Sequence, residues 1–239
     1  MDKIDEFFDD RNRAWCIHCS GVLANMVTTE DHVPTQSFLR KPRPHHLPKV
    51  TTCFDCNNGF SKDEQYVGAF LSCVVSGTID PDKQFNASAA SALRKSPALR
   101  SMIDQSKTER LTETGEAQIV WMPDRDRVNR VVVKNARGHS FFELGEPMMN
   151  DPDIVWTYPI GLLTPEQRAE FEGENEVGGL SVFPEVGSKM MTRIMTGQDL
   201  DGSWVIVQDG IYRYEVNFDV GVRVRTVIFD YLATEVFWN

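Results

Sequence analysis

The stretch Glu30-Asp31-His32-Val33-Pro34-Thr35-Gln36-Ser37-Phe38-Leu39, closed by Cys53-Phe54-Asp55-Cys56-Asn57-Asn58 and Ser61-Lys62-Asp63-Glu64, decides how this chain is read. An acid and a histidine stand side by side before a proline, and a Cys-x-x-Cys pair runs straight into asparagine. Proline cannot donate to a strand ladder, so a strand expected within residues 22–33 ends at Asp31-His32. Residues 34–49 hold four prolines and read as a polar, broken loop outside the core. Val50-Thr51-Thr52 resumes a short strand into the second cysteine pair. Ser61 with Glu64 three residues on fits a capping box. The helix it would start runs to about Gly77, with Tyr66, Val67, Phe70, Leu71, Val74 and Val75 as its apolar face.

Four of the five cysteines form two pairs, Cys16/Cys19 and Cys53/Cys56. The acidic opening Met1-Asp2-Lys3-Ile4-Asp5-Glu6 lacks the basic-then-apolar form of a signal peptide. No apolar run reaches the roughly 20 residues of a membrane span, so a cytoplasmic protein without a membrane partner is expected. In that setting paired Cys-x-x-Cys knuckles read as a metal site rather than a disulfide framework. Four thiolates make a closed tetrahedral zinc site, structural because no coordination position is left open. The zinc would staple the ends of a substructure too small to bury its own core. In the first knuckle Gly21 is expected to allow the tight turn. Cys73 falls in the apolar helix and reads as a small buried hydrophobe.

Around this centre the chain reads as α+β. Residues 1–80 form an N-terminal zinc-stapled domain that opens with a short helix over 3–14. Residues 81–114 form a helical connector entered by the turn Asp80-Pro81-Asp82, with Pro97 starting a second helical piece. Residues 115–239 form a strand-rich α+β domain. Its expected strands are Gln118–Met122, Asn129–Lys134, Ser140–Leu144, Ile154–Pro159, Trp204–Gln208, Ile211–Asn217 and Val222–Tyr231, with Asp209-Gly210 as a hairpin turn. Helix starts are expected at Thr164-Pro165-Glu166 and over Lys189–Thr196.

The net charge of −10 argues weakly against nucleic acid as a partner. Its distribution argues otherwise. Residues 115–239 carry eleven Lys/Arg against twenty Asp/Glu, nine of the ten excess negatives. The loop segment Arg40-Lys41-Pro42-Arg43-Pro44-His45-His46-Leu47-Pro48-Lys49 has four positive charges and no acid.

Cys16-x-x-Cys19, Asp31-His32-Val33-Pro34 and Cys53-x-x-Cys56-Asn57-Asn58, in this order, resemble the HNH nuclease family, also called the ββα-metal nucleases. The resemblance covers about residues 15–75, and Asp31 to Leu39 looks like the start of the HNH domain in RNA-guided CRISPR nucleases. It implies a ββα-metal fold and a DNA endonuclease in which His32 is the general base, while Asp31 and Asn57 hold a catalytic Mg²⁺ or Mn²⁺. Arg40, Lys41, Arg43, Lys49 and Lys62 would contact DNA phosphates. Asn58 is placed to share or take the role of Asn57. Two departures stand out: no asparagine lies between residues 33 and 52, and the family's late lysine is offset, with Lys62 nearest. Nucleases with appended domains are frequent in bacterial phage defence and mobile elements, so the resemblance implies such a context. Residues 115–239 would then serve for dimerisation, for a small ligand or for a protein regulator, and a homodimer is the simplest route to a double-strand break. The competing reading is a zinc-stabilised nucleic-acid-binding regulator without catalysis, which would have no use for Asp31, His32 and Asn57 together.

Overall fold

Strand β1 (Thr28–His32) runs antiparallel to β2 (Lys49–Cys53), pairing Asp31 with Val50 and His32 with Lys49. The computed structural model describes residues 1–4, 11–111, 117–173, 184–218 and 220–239. Most of the helix expected over 3–14 lies outside these residues, and 11–14 form a 3-10 turn. The strand expected within 22–33 is shorter at its start, because 23–25 form another 3-10 turn.

Helix α1 (Phe54–Ser76) begins directly where β2 ends. The capping box expected at Ser61 is corrected: Cys53 is the N-cap, its sulfur accepting the Cys56 amide N–H, and Ser61 lies inside the helix with its hydroxyl on the Asn58 carbonyl. A cysteine sulfur can accept an orphan amide as a serine oxygen does, so the helix is capped eight residues earlier. Its end is where the glycine predicts, with Gly77 at φ 68°. The loop 34–49 is also corrected, since Phe38, Leu39 and Leu47 are buried in the largest hydrophobic cluster. Three apolar residues spaced between prolines escape a composition argument, yet they fill the space beside α1.

Helices α2 (Ala87–Lys95) and α3 (Pro97–Gln105) follow as expected, each opened by a side-chain cap, from Asn86 and Ser96 respectively. A hairpin of β3 (Lys107–Leu111) and β4 (Ala117–Trp121) comes next. The largest correction concerns helix α4 (Arg125–Leu144), which replaces the two strands expected at Asn129–Lys134 and Ser140–Leu144. Val131-Val132-Val133 and Phe141-Phe142 favour strands locally, but packing on two sides overrides that preference. Asp124 caps the start, and Gly145 at φ 78° ends it.

Strands β5 (Ile154–Pro159), β6 (Leu200–Asp201), β7 (Trp204–Gln208), β8 (Tyr212–Phe218), β9 (Val222–Ile228) and β10 (Leu232–Trp238) form one antiparallel sheet in the order β5-β10-β9-β8-β7-β6. The single strand expected over Val222–Tyr231 is thus followed by a second, turning at Phe229 and Asp230, both with positive φ. Helices α5 (Pro165–Glu172), with its Thr164/Gln167 capping box, and α6 (Lys189–Thr196) stand where their start signals predict. Tyr66 and Phe70, Leu93 and Ile103, and Val216 and Val236 belong to the same hydrophobic cluster, so apolar residues from all three segments of the chain pack together.

Helix α4 has two polar faces. Toward the sheet, Glu143 takes the Arg193 Nε at 3.0 Å and the Tyr214 hydroxyl, all buried. His139, fully buried, shares a 2.9 Å hydrogen bond with the Tyr212 hydroxyl and stacks on Tyr214. Burial holds the His139 pKa well below the usual imidazole value, with Lys134 and Arg193 adding to the effect. The folded chain therefore keeps His139 neutral while the unfolded chain protonates it, so stability is full above about pH 6.5 and falls below it. One such proton contributes about 1.4 kcal/mol per pH unit. Urea midpoints measured between pH 7.5 and 5 should show a steeper acid decline in the wild type than in His139→Gln; equal slopes would refute it.

Where α4 crosses the turn after β1, Gly138 lies against Val33, and an added Cβ would sit 2.5 Å from Val33 Cγ2 and 3.0 Å from Cγ1. Gly138→Ala should cost about 1–3 kcal/mol through overpacking, seen as a lowered urea midpoint. An unshifted midpoint would mean that the turn yields freely.

Candidate functional site

The four knuckle thiols lie within 4.8 Å of one another. Trp15 bridges to Val22, the Cys16 amide donates to the Gly21 carbonyl at 2.8 Å, and the Ser20 amide donates to the Cys16 carbonyl at 2.9 Å. The positive φ of this turn belongs to Ser20, at 59°, not to Gly21 as expected. A Cβ at Gly21 would meet the end of the Met26 side chain, which is exposed and can swing aside, so space does not demand the glycine either. The Cys53 amide reaches Cys16 Sγ at 3.5 Å, and the Cys56 amide reaches Cys53 Sγ at 3.4 Å. Amides directed at sulfur favour thiolate. Burial and the neighbouring sulfurs push the Cys56 thiol far above its usual range, since thiolates this close repel without a cation between them. Four sulfurs converging this closely can hold a zinc ion. Cys73 is fully buried and outside the group, as expected.

The extended β1 backbone turns Asp31 and His32 to opposite sides. Asp31 is 5% exposed and faces α4. Its Oδ1 accepts from the Lys134 ammonium at 2.8 Å, while Oδ2 is buried without a hydrogen-bond partner, 3.7 Å from His18 Nε2. That separation is too long for a hydrogen bond. Burial raises the Asp31 carboxyl, but His18 and the Lys134 ammonium outweigh it and hold the pKa below the usual range. His32 is half-buried; burial first, then the charge of Lys49, holds its imidazole below the usual value.

Asn57 lies on the first turn of α1, its amide nitrogen 3.5 Å from the Glu30 carbonyl. The fold thus brings Asn57 to β1, one residue from Asp31. At the N-terminus of α1 the Cys56 N–H is directed at a thiol.

The basic residues have divided fates. Lys41 and Lys62 are exposed. Lys49 pairs with Glu30 at 2.8 Å. The Arg40 amide donates to Gln208 at 2.8 Å and its guanidinium covers the Phe85 ring at 4.8 Å, so this loop docks on the sheet and on the segment before α2. Arg43 carries a buried Nε without a partner.

What the sequence reading missed is α4. Arg127, Arg130, Lys134 and Arg137 fall on one helical stripe. Arg130 pairs with Asp63 of α1 at 2.7 Å, and Arg127 lies 3.6 Å from the same acid. Arg137 donates to the carbonyls of His18 and Asn150 at 3.2 and 2.9 Å. The acidic average of residues 115–239 concealed this stripe; the i, i+3, i+7, i+10 spacing of its cations was the available signal, once the segment is read as a helix. A cavity of about 700 Å³ opens between the stripe, His18 and Phe60.

Among the described residues no helix is long and apolar enough to cross a membrane. Comparison with family models, with curated proteins and with solved structures finds no match to this chain.

Proposed function

We propose that this chain is a metal-dependent endonuclease of the HNH type that hydrolyses DNA phosphodiesters. The carrying observation is a joint placement: Asp31-His32 ends β1, Asn57 sits on the first turn of the helix that β2 feeds, and the cysteine cluster ties both ends together. In this reading His32 takes the proton of the attacking water, and its lowered pKa keeps the base form populated at neutral pH. Asp31 Oδ2 and the Asn57 carboxamide oxygen are hard donors suited to Mg²⁺ or Mn²⁺. The orphaned, buried Oδ2 is the observation that fits such an ion. When bound, the ion supplies Lewis-acid stabilisation of the phosphate and of the departing 3′ oxygen. Lys41, Arg43 and Lys62 are the cations best placed to meet backbone phosphates, with Arg40 and Lys49 engaged within the chain. Dimerisation or regulation by a bound partner is the role we assign to the remainder of residues 115–239, in a cytoplasmic host-defence setting.

The test is incubation of supercoiled plasmid with zinc-loaded protein and Mg²⁺ or Mn²⁺. Nicking that EDTA stops supports the reading; intact plasmid under every metal and salt condition refutes it. The buried Asp31–Lys134 pair favours a second reading, a zinc-stabilised DNA-binding module in which Asp31 is structural. DNA binding that survives EDTA treatment, without nicking, would support that alternative.

A further inference from the structure

The Lys134 side chain is fully buried, and its ammonium is surrounded by oxygens from three segments. Asp31 Oδ1 and Glu64 Oε1 each lie at 2.8 Å, Thr35 Oγ1 at 3.3 Å and the His32 carbonyl at 3.4 Å. Thr35 further donates to Glu64 at 2.7 Å, and the next α4 residue, Asn135, accepts the Thr35 amide at 2.9 Å. Two carboxylates, a hydroxyl and a carbonyl are the donor set of a hard-cation site. Here a protein ammonium fills it.

We propose that Lys134 is a positioning residue: a resident cation that fixes Asp31 and the His32 backbone and weakens the hold of the site on a divalent ion. The proposal rests on the reading of Asp31 as a metal ligand. Its physical basis is Coulombic. A buried carboxylate with no counter-charge attracts a divalent ion strongly, and a positive charge 2.8 Å from the same carboxylate opposes that attraction. The ammonium also occupies Oδ1 and leaves Oδ2, which faces His18 Nε2 at 3.7 Å, so the direction from which Asp31 can bind an ion is set from α4 and the first knuckle. By this account residues 115–239 supply part of the site as well as flanking it.

Binding of Mn²⁺ alone, followed by electron paramagnetic resonance on zinc-loaded protein without DNA, tests this. Lys134→Met should bind Mn²⁺ at least about tenfold more tightly than the wild type, and adding Asp31→Asn should abolish the gain. Where Lys134→Met does not fold, as judged by circular dichroism and zinc content, Lys134→Met with Glu64→Gln leaves a single buried carboxylate and carries the same expectation. Unchanged or weaker affinity, or no binding by either chain, overturns the proposal. Plasmid cleavage separates it from the nuclease reading. A wild type that cuts DNA without the Mn²⁺ shift refutes only the role of Lys134. A shift in a chain that never cuts refutes only the nuclease.

Discussion

Cys53→Ser should release bound zinc and unfold the knuckles, the β1–β2 hairpin and the first turns of α1, the largest loss expected of any single substitution. Cys53 ends β2 opposite Thr28, contributes a sulfur to the four-thiol group, and caps α1 by accepting the Cys56 amide. Serine could replace the cap but not the soft metal ligand. Structural zinc contributes on the order of 10 kcal/mol or more in small metal-dependent folds, against a typical total stability of about 5–15 kcal/mol. The unit has little apolar burial of its own around the metal, since among the described residues only Leu23 joins the buried cysteines there. Zinc content by mass spectrometry should fall from about one ion per chain, and proteolysis should begin within residues 15–60. Cys73→Ala, outside the cluster, should keep its zinc. A zinc-free Cys53→Ser protein with the melting temperature of the wild type would end the structural-zinc account.

His32→Ala should lower metal-dependent DNA cleavage by about 10²- to 10⁴-fold, the range for removing a general base. Folding should be little affected. The contact of His32 with Lys134 runs through its backbone carbonyl, which alanine retains, and the ring is only half-buried. The decisive readout is the single-turnover rate at saturating Mn²⁺, with circular dichroism and zinc content unchanged. A cleavage rate equal to the wild type would remove His32 from the chemistry. A collapse of both rate and fold would make it a structural residue instead.

The parts legible in the sequence share a cause. The paired cysteines, the strand ending before Pro34 and the helix ending at Gly77 depend on covalent neighbours and on the backbone limits of proline and glycine. Helix α4 was illegible because its Val131-Val132-Val133 run favours a strand wherever the surroundings do not intervene. Its capping signals, Asp124 and Gly145, were present but had twenty residues between them, with no apolar face clear enough to join them. The start of α1 was misplaced for a different reason: a serine with a matching glutamate is a familiar cap, whereas a cysteine cap becomes visible only beside its metal cluster.

The order of residues alone says which side chains could carry chemistry here: four thiols spaced for a metal, and an acid and a histidine set side by side on an extended strand. What those side chains face comes from the packing of distant elements. Asp31 meets Lys134 across 103 positions of chain, and Arg40 meets Gln208 across 168. Alternation along a strand fixes that neighbours point apart, which is a local property. Which charge waits on the buried side depends on how α4 packs between α1 and the sheet, and no local pattern encodes that.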